Sequence, residues 1–387
     1  MKDVLIITNY YPPETGAASN RINHLAEGLS NQGFKVRVLT PLPNYPTGKI
    51  FKAYKGRIEN PTVENNVTIH RLWIYANNSK NKLLRLLAML SYSFSLVWFF
   101  MWNRIPKTVI VQSPPLLVAF TAVLFLRSKR RKLILNVSDL WPIAGLELGA
   151  FKKNWSYKLL ENIERFNYKN ANLVLGQSNE ILTHVTSLYP EKEVFLYRNF
   201  PKIGISPLQE PDDTQQELKI VYAGLLGIAQ GIYKLIQELE LKDVEFHIYG
   251  NGAERALIER YISETPEKTI IYHGEVSRQE LHKVLTNYDA TIIPLLNRIY
   301  GSVPSKIFEY AYLGLPMIYF GGGEGENIIT ENNLGWVADV GNYKALNDLI
   351  ATLERGKLSN SFRYEIQNTA QNKFNFDRQL KEFSAMV

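Results

Sequence analysis

Along this chain, aliphatic and β-branched runs alternate with glycine- and proline-broken loops and helical stripes, and the alternation restarts once. Val4-Leu5-Ile6-Ile7 reads as a buried strand, residues 18–31 as a helix and 34–40 as a second strand. Between the first two lies Asn9-Tyr10-Tyr11-Pro12-Pro13-Glu14-Thr15-Gly16, too rich in proline for anything but a loop. Further strands are predicted at 132–137 and 173–176, and a helix at 162–169. Residues 201–216, with Pro207, Pro211, Asp212 and Asp213, have the composition of an interdomain linker. The strand-loop-helix pattern then resumes with strands at 219–223, 245–249 and 270–276, and the last stretch through Phe383 reads as two helices.

The second half concentrates the chemistry. Asp289-Ala-Thr-Ile-Ile-Pro294 is a strand, Gly301 to Pro316 (GSVPSKIFEYAYLGLP) a loop and short helix, and Met317-Ile-Tyr-Phe320 another strand. Open α/β sheets bind ligands outside the carboxyl ends of such strands. Ser305, or the turn before it, is expected to cap the helix. Lys306 then stands at its positive end, suited to a diphosphate, and Glu309 one turn further in, suited to a ribose diol. An ordinary capped helix with a solvated Lys and Glu is the competing reading. Gly224, Gly227 and Gln230 in GLLGIAQG, and Gly250 and Gly252 in the next strand-to-helix turn, offer backbone N–H groups to the same anion. The rim is completed by Gly321-Gly-Gly323 and residues 324–327. His273 reads as a structural strand residue.

In the first half, Asp139 follows a strand in Ser138-Asp139-Leu140-Trp141-Pro142. It can orient an acceptor hydroxyl or take its proton, with Trp141 as a stacking face, or it can simply cap the next helix. Gln177-Ser178-Asn179 is a polar turn that can face the same cleft.

At this point the motifs can be compared with a family. SVPSKIFEY…GLP, GLLGIAQG, DLWP and NYYPPETGAAS together resemble the retaining glycosyltransferases of family 4, and more narrowly the branch that adds N-acetylfucosamine-type amino sugars to lipid-linked O-antigen or capsule precursors. The resemblance implies an α/β GT-B fold, two Rossmann-like domains with parallel sheets facing a central cleft. Residues 1–200 would form an acceptor-binding, membrane-associating domain and 217–370 a nucleotide-sugar-binding domain, with a helix in 371–387 crossing back. It implies donor contacts at Gly224, Gly227, Gln230, Gly250, Gly252, Val276, Ser305, Lys306 and Glu309, acceptor contacts at Gly16, Ala17, Asp139 and Trp141, and catalytic roles for Asp139, Lys306 and Glu309. One departure stands out: the family's first Glu, eight residues before the second and in contact with the donor sugar, is Gly301 here.

Composition narrows the picture. With no cysteine, disulfides and thiolate metal sites are excluded, which fits a reducing cytoplasm. No Asp-x-Asp or His-x-x-x-His occurs, so the leaving diphosphate is expected to be neutralised by protein groups, without metal or other cofactor. The first loop lacks G-x-G-x-x-G, which argues against a dehydrogenase. No signal peptide is expected at the start of the sequence.

The net charge of +7 divides into +14 over residues 1–198 and −7 over the rest. The basic half shows no nucleic-acid recognition pattern. Its cations flank apolar runs at 86–103 and 116–126, the first free of charged residues, with Lys80, Lys82, Arg85, Arg104 and Lys107 around it. That pairing reads as an interfacial helix on an anionic membrane, with a core helix or a true span as alternatives. The basic run 127–132 beside the second apolar stretch points to the membrane as well.

The expected partners are therefore a nucleotide-sugar donor, a lipid-linked acceptor and an anionic membrane surface at the inner face of the plasma membrane, with no nucleic acid. No protein nucleophile is evident, which favours front-face attack assisted by the leaving phosphate. The rivals are a nucleotide-sugar epimerase or hydrolase of the same fold, and a non-catalytic scaffold of a polysaccharide-assembly complex.

Overall fold

The computed structural model describes residues 2–56, 61–79, 81–150, 152–205, 207–208, 217–227, 230–354 and 358–387. Lys80, most of the expected linker (Pro211, Asp212 and Asp213 included) and residues 228–229 of the glycine loop lie outside the described residues. The chain forms two compact units. One comprises Met1–Asn199, Ile299–Ser302 and Asp377–Val387, the other Phe200–Arg298 and Val303–Phe376.

The first unit is built on an eight-stranded sheet: β1 (Asp3–Ile7), β2 (Lys35–Pro41), β3 (Thr62–Glu64), β4 (Val67–Leu72), β5 (Thr108–Ser113), β6 (Lys132–Val137), β7 (Leu173–Gly176) and β8 (Glu193–Leu196). The strand order is β3-β4-β2-β1-β5-β6-β7-β8, parallel except for the β3–β4 pair. Strands buried on both faces need near-continuous apolar sequence, and Val4 through Ile7 and Val109 through Val111 supply it. The order reverses between β1 and β5, so the loop after β1 lies at the sheet's switch point.

The helix Lys82–Trp102 packs one face on this sheet through Ala88, Tyr92, Leu96 and Phe99, and the Tyr92 hydroxyl donates to Thr8 O at 2.9 Å. Its other face, with Leu83, Leu86, Leu87, Leu90, Phe94, Trp98, Met101 and Trp102, is exposed. By length and composition its Leu83–Trp102 stretch could cross a membrane, but only 28% of it is buried, so it is not enclosed as a core helix.

The second apolar run differs from expectation. Helix Leu116–Leu126 buries Leu116, Val118, Ala119, Ala122, Val123 and Leu126, and is a core element. The following cations are partly structural: Arg131 Nη1 donates to Leu126 O at 2.7 Å, and Arg127 stacks over Phe166 at 5.1 Å. The predicted helix at 162–169 is the end of a longer one, Trp155–Asn170, which Asn154 caps by accepting from Tyr157 N.

The second unit carries six parallel strands, β9 (Leu218–Ala223), β10 (Val244–Tyr249), β11 (Ile270–Gly274), β12 (Ala290–Pro294), β13 (Met317–Phe320) and β14 (Gly335–Ala338), ordered β11-β10-β9-β12-β13-β14. Here the order reverses between β9 and β12. Strand β11 ends at Gly274, short of the predicted 276, because Gly274 adopts φ +76° and turns the chain. After Phe320 the sequence pattern suggested only two helices. The structure adds helix Glu324–Glu331, strand β14 and helix Tyr343–Ala351 before helices Asn360–Lys373 and Phe376–Ser384.

The expected boundary at 371 falls inside helix Asn360–Lys373, whose Ala370 is fully buried. Residues 377–387 belong to the first unit: Phe383 packs edge-on to Tyr197 with ring centroids 5.4 Å apart, and Gln379 brackets the Arg198 backbone with two hydrogen bonds.

Candidate active site

In the second unit, two loops leave the sheet at its switch point. The loop after β9 begins with Gly224 at φ +157°. Its N–H donates to Tyr249 O at 2.9 Å, and Leu226 N donates to Asn251 O at 2.9 Å, so it interlocks with the glycine turn that follows β10. The interlock is too close for side chains: a β-carbon on Gly250 would meet Gly224 O, and one on Gly252 would meet Leu226 O. Gly227 carries the loop onward, its carbonyl accepting from Gln230 N at 3.1 Å. The Gln230 side-chain oxygen is buried without a hydrogen-bond partner.

The loop after β12 delivers Lys306 to the same place. Its ammonium lies over the Tyr222 ring, 5.0 Å from the centroid, and a β-carbon on Gly224 would overlap it. Burial pulls this lysine down to about 8, while Glu309 raises it. A group held in such surroundings gains most from an anion that arrives to pair with it. Tyr310 fixes the helix from below by donating to Ala223 O at 3.0 Å.

Ser305 does not cap this helix: it is itself near-helical (φ −62°, ψ −19°) and makes no side-chain capping bond. The turn before it closes instead through the backbone, with Pro304 O accepting from Ile307 N at 3.2 Å.

Glu309 is engaged. Arg278 Nε lies 3.1 Å from its Oε1, and His282 Nε2 forms a short hydrogen bond to the same oxygen. Burial pushes the carboxyl up, but the His282 bond and the Arg278 charge outweigh it and hold the group below its ordinary value. Arg278 and His282 gave no signal in the sequence, since they lie on the helix Arg278–Leu285 some thirty residues upstream. Val276 is in the turn between β11 and that helix, partly buried. His273 stacks on Tyr249 at 4.4 Å and bonds His247 at 2.9 Å, a structural setting.

The first unit assembles a separate group. Gly16 opens the helix Ala17–Asn31 with φ +149°, and both Gly16 and Ala17 are exposed. The proline-rich loop before them is fixed by two buried charges. Glu14 Oε1 accepts from Asn44 N (2.7 Å) and Tyr45 N (2.8 Å), and Arg71, paired with Glu64 at 3.3 Å, donates to Pro12 O.

Asp139 sits beyond the end of β6. The next helix, Ile143–Glu147, starts at Pro142 with no side-chain cap, so Asp139 is not a capping residue. Burial pushes its carboxyl up, opposed by Arg21. Trp141 is partly buried beside it in sequence. Of the polar turn 177–179, Ser178 caps helix Asn179–Leu188 and Gln177 bonds Arg21.

Gly301 has a structural reason to be glycine. It adopts φ +85°, its N–H donates to Glu180 Oε2 at 2.8 Å, and its carbonyl accepts from Ser178 Oγ at 2.7 Å. A β-carbon would press on Ile181 and Leu140 at 3.0 and 3.1 Å, so a Glu would be both strained and crowded here.

Two α/β units built on parallel sheets are the architecture of the GT-B glycosyltransferases. Comparison with known proteins agrees: residues 16–197 match the glycosyl transferase 4-like domain and residues 209–372 match glycosyl transferases group 1. The chain belongs to the family-4 type of GT-B glycosyltransferases and is a hexosyltransferase.

Among curated proteins it is similar to WcaI of Escherichia coli (strain K12), named as a colanic acid biosynthesis glycosyl transferase, at 25% identity over 334 residues, covering 80% of this chain and 81% of WcaI. Among solved structures, sucrose-phosphate synthase from Thermosynechococcus elongatus aligns over 100% of this chain and 98% of its own, with a TM-score of 0.74 at 12% identity. HepE of Anabaena, solved with UDP and glucose, aligns over 100% and 99%, with a TM-score of 0.66 at 12% identity.

Proposed function

We propose that this enzyme moves an N-acetylated amino sugar from a UDP-linked donor to a polyprenyl-diphosphate-linked saccharide, with retention, in O-antigen, capsule or exopolysaccharide assembly. The observation that carries the reading is Lys306, a partly buried ammonium with a lowered pKa that lies against Gly224 in the loop after β9. Lys306 and loop amides would neutralise the leaving diphosphate without a metal, and Glu309, held ionised by Arg278 and His282, would take the ribose diol. HepE's complex with UDP supports the nucleotide, and WcaI's assignment to colanic acid supports a polysaccharide product.

On the acceptor side, Gly16, Ala17, Asp139 and Trp141 would bind the saccharide, with the leaving phosphate assisting front-face attack. The exposed apolar stripe from Leu83 to Trp102 would rest on the inner face of the plasma membrane, where the lipid-linked acceptor resides. Wide exposure of eight large apolar side chains on a helix whose other face is packed favours a lipid surface. The test is product analysis: incubation of donor with polyprenyl-diphosphate saccharide in detergent should give a lipid heavier by one sugar, its new linkage keeping the donor's anomeric configuration. Inverted configuration would exclude the retaining mechanism, and free sugar without lipid product would favour a hydrolase.

A further inference from the structure

The first unit buries a cation that the transferase reading leaves unused. Arg21, on the helix Ala17–Asn31, is only 4% exposed. Its Nη1 donates to Gln177 Oε1 at 3.0 Å and its Nη2 bonds Asn136 Oδ1, whereas its buried Nε has no hydrogen-bond partner. Amide oxygens satisfy hydrogen bonds but do not neutralise a guanidinium, and an unneutralised buried charge is costly.

The amides are held in turn. Asn136 Nδ2 donates to Gln112 Oε1 and Gln112 Nε2 to Ser138 Oγ, each at 2.8 Å, and Gln177 Nε2 bonds Ser138 O. The network therefore ties one helix to the carboxyl ends of β5, β6 and β7, and ends on the residue next to Asp139.

We propose that Arg21 is a positioning residue: through this network it fixes the Ser138–Asp139 turn, and it sets a positive charge behind the carboxylate that faces an acceptor hydroxyl. The proposal rests on reading Asp139 as the acceptor-side carboxylate. Burial pushes Asp139 up and Arg21 opposes it; burial also pulls Arg21 down, to about 10, so it stays protonated at neutral pH. Other titratable or charged groups near the network are Tyr197, whose buried hydroxyl has no hydrogen-bond partner, Arg198, which donates to Gln177 O, and Glu180, which accepts from Gly301 N beyond Leu140. Arg21 is the charge that acts on the Asp139 carboxyl, so Asp139 reports on it.

The test does not depend on turnover. The chain has nine aspartates, so carbon-13 labelling at aspartate Cγ gives a short spectrum in which Asp139→Asn identifies the Asp139 resonance. Arg21→Gln should move its titration midpoint up by about one pH unit, the scale of losing a nearby opposite charge, and Arg21→Lys should restore most of it. Should Arg21→Gln not fold, Arg21→Met removes the charge while keeping an apolar stem and is read the same way.

With donor and lipid acceptor present, the acid limb of turnover should shift with the resonance. An unmoved midpoint in a folded charge-removing variant would overturn the proposal even if melting temperature falls, since that is what a purely structural role gives. Full turnover by Asp139→Asn would overturn it from the other side, by removing the acceptor role on which it rests.

Discussion

Gly224 and Lys306 adjoin so closely that a β-carbon on the glycine would occupy the position of the lysine's ammonium. They come from loops after β9 and β12, neighbouring strands between which the sheet order reverses, and more than eighty residues of chain separate them. The glycine is therefore part of the lysine's environment, and three predictions about the donor side follow from how that environment is built.

Lys306→Ala should lower turnover by about 100-fold or more, the usual cost of removing one preorganised donor to a developing oxyanion. Gly224→Ala should cost a comparable factor, because its side chain displaces the ammonium. The double variant should be little worse than either single one, since both remove the same interaction. Steady-state rates of the three variants check this, and full additivity would show that the two residues act separately.

The pH profile gives a second handle on Lys306. Its folded value lies near 8, lowered by burial, so in the free enzyme the charged form is lost as pH rises through that value. The rate at low donor concentration should therefore fall on the alkaline side with a midpoint near 8. Under saturating donor the midpoint should move up, because a bound diphosphate stabilises the ammonium. A profile flat to pH 9.5 or so at low donor would contradict a role for the charged lysine.

Glu309→Gln should weaken donor binding about tenfold, the scale of one charge-assisted hydrogen bond, with folding intact. The change also removes the negative charge that Arg278 and His282 share. Calorimetric titration with UDP reads the loss directly, and unchanged affinity would remove Glu309 from the ribose.

Replacing Phe94 and Trp98 by serine should abolish co-sedimentation with vesicles containing anionic lipid. Each exposed side chain would contribute about 2 kcal/mol on insertion, so losing both costs well over tenfold in affinity. The melting temperature should hold, because these residues are 65% and 57% exposed and carry little of the fold. Undiminished sedimentation would direct attention away from the helix Lys82–Trp102.

How much of this was legible beforehand depended on locality. Strands such as Val4–Ile7 announced themselves because burial on both faces requires unbroken apolar sequence. The placement of Lys306 and the glycine loops was legible because each follows directly from a strand of one sheet. Strand β14 was not: Gly335-Trp-Val-Ala338 is four residues long, three of them only partly buried, and short edge strands carry little pattern. Helix Leu116–Leu126 was misread as a membrane element because apolar sequence beside a basic run looks the same whether it is covered by protein or by lipid.

Arg21 went unnoticed for the opposite reason. In Ser19-Asn20-Arg21 it looks like a solvated helix face, and only the tertiary structure shows that acceptors more than a hundred residues away enclose it. Gly301 looked like a lost contact to the donor sugar, and the structure gives it a backbone role that only glycine fills without strain.

The most direct test of the central claim is nucleoside diphosphate release from a panel of UDP-, GDP- and ADP-sugars, with and without a polyprenyl-diphosphate saccharide in detergent. The account predicts release from a UDP-linked amino sugar only when the lipid is present, and its loss in Lys306→Ala. Release at the same rate without lipid, or from every donor alike, would contradict it.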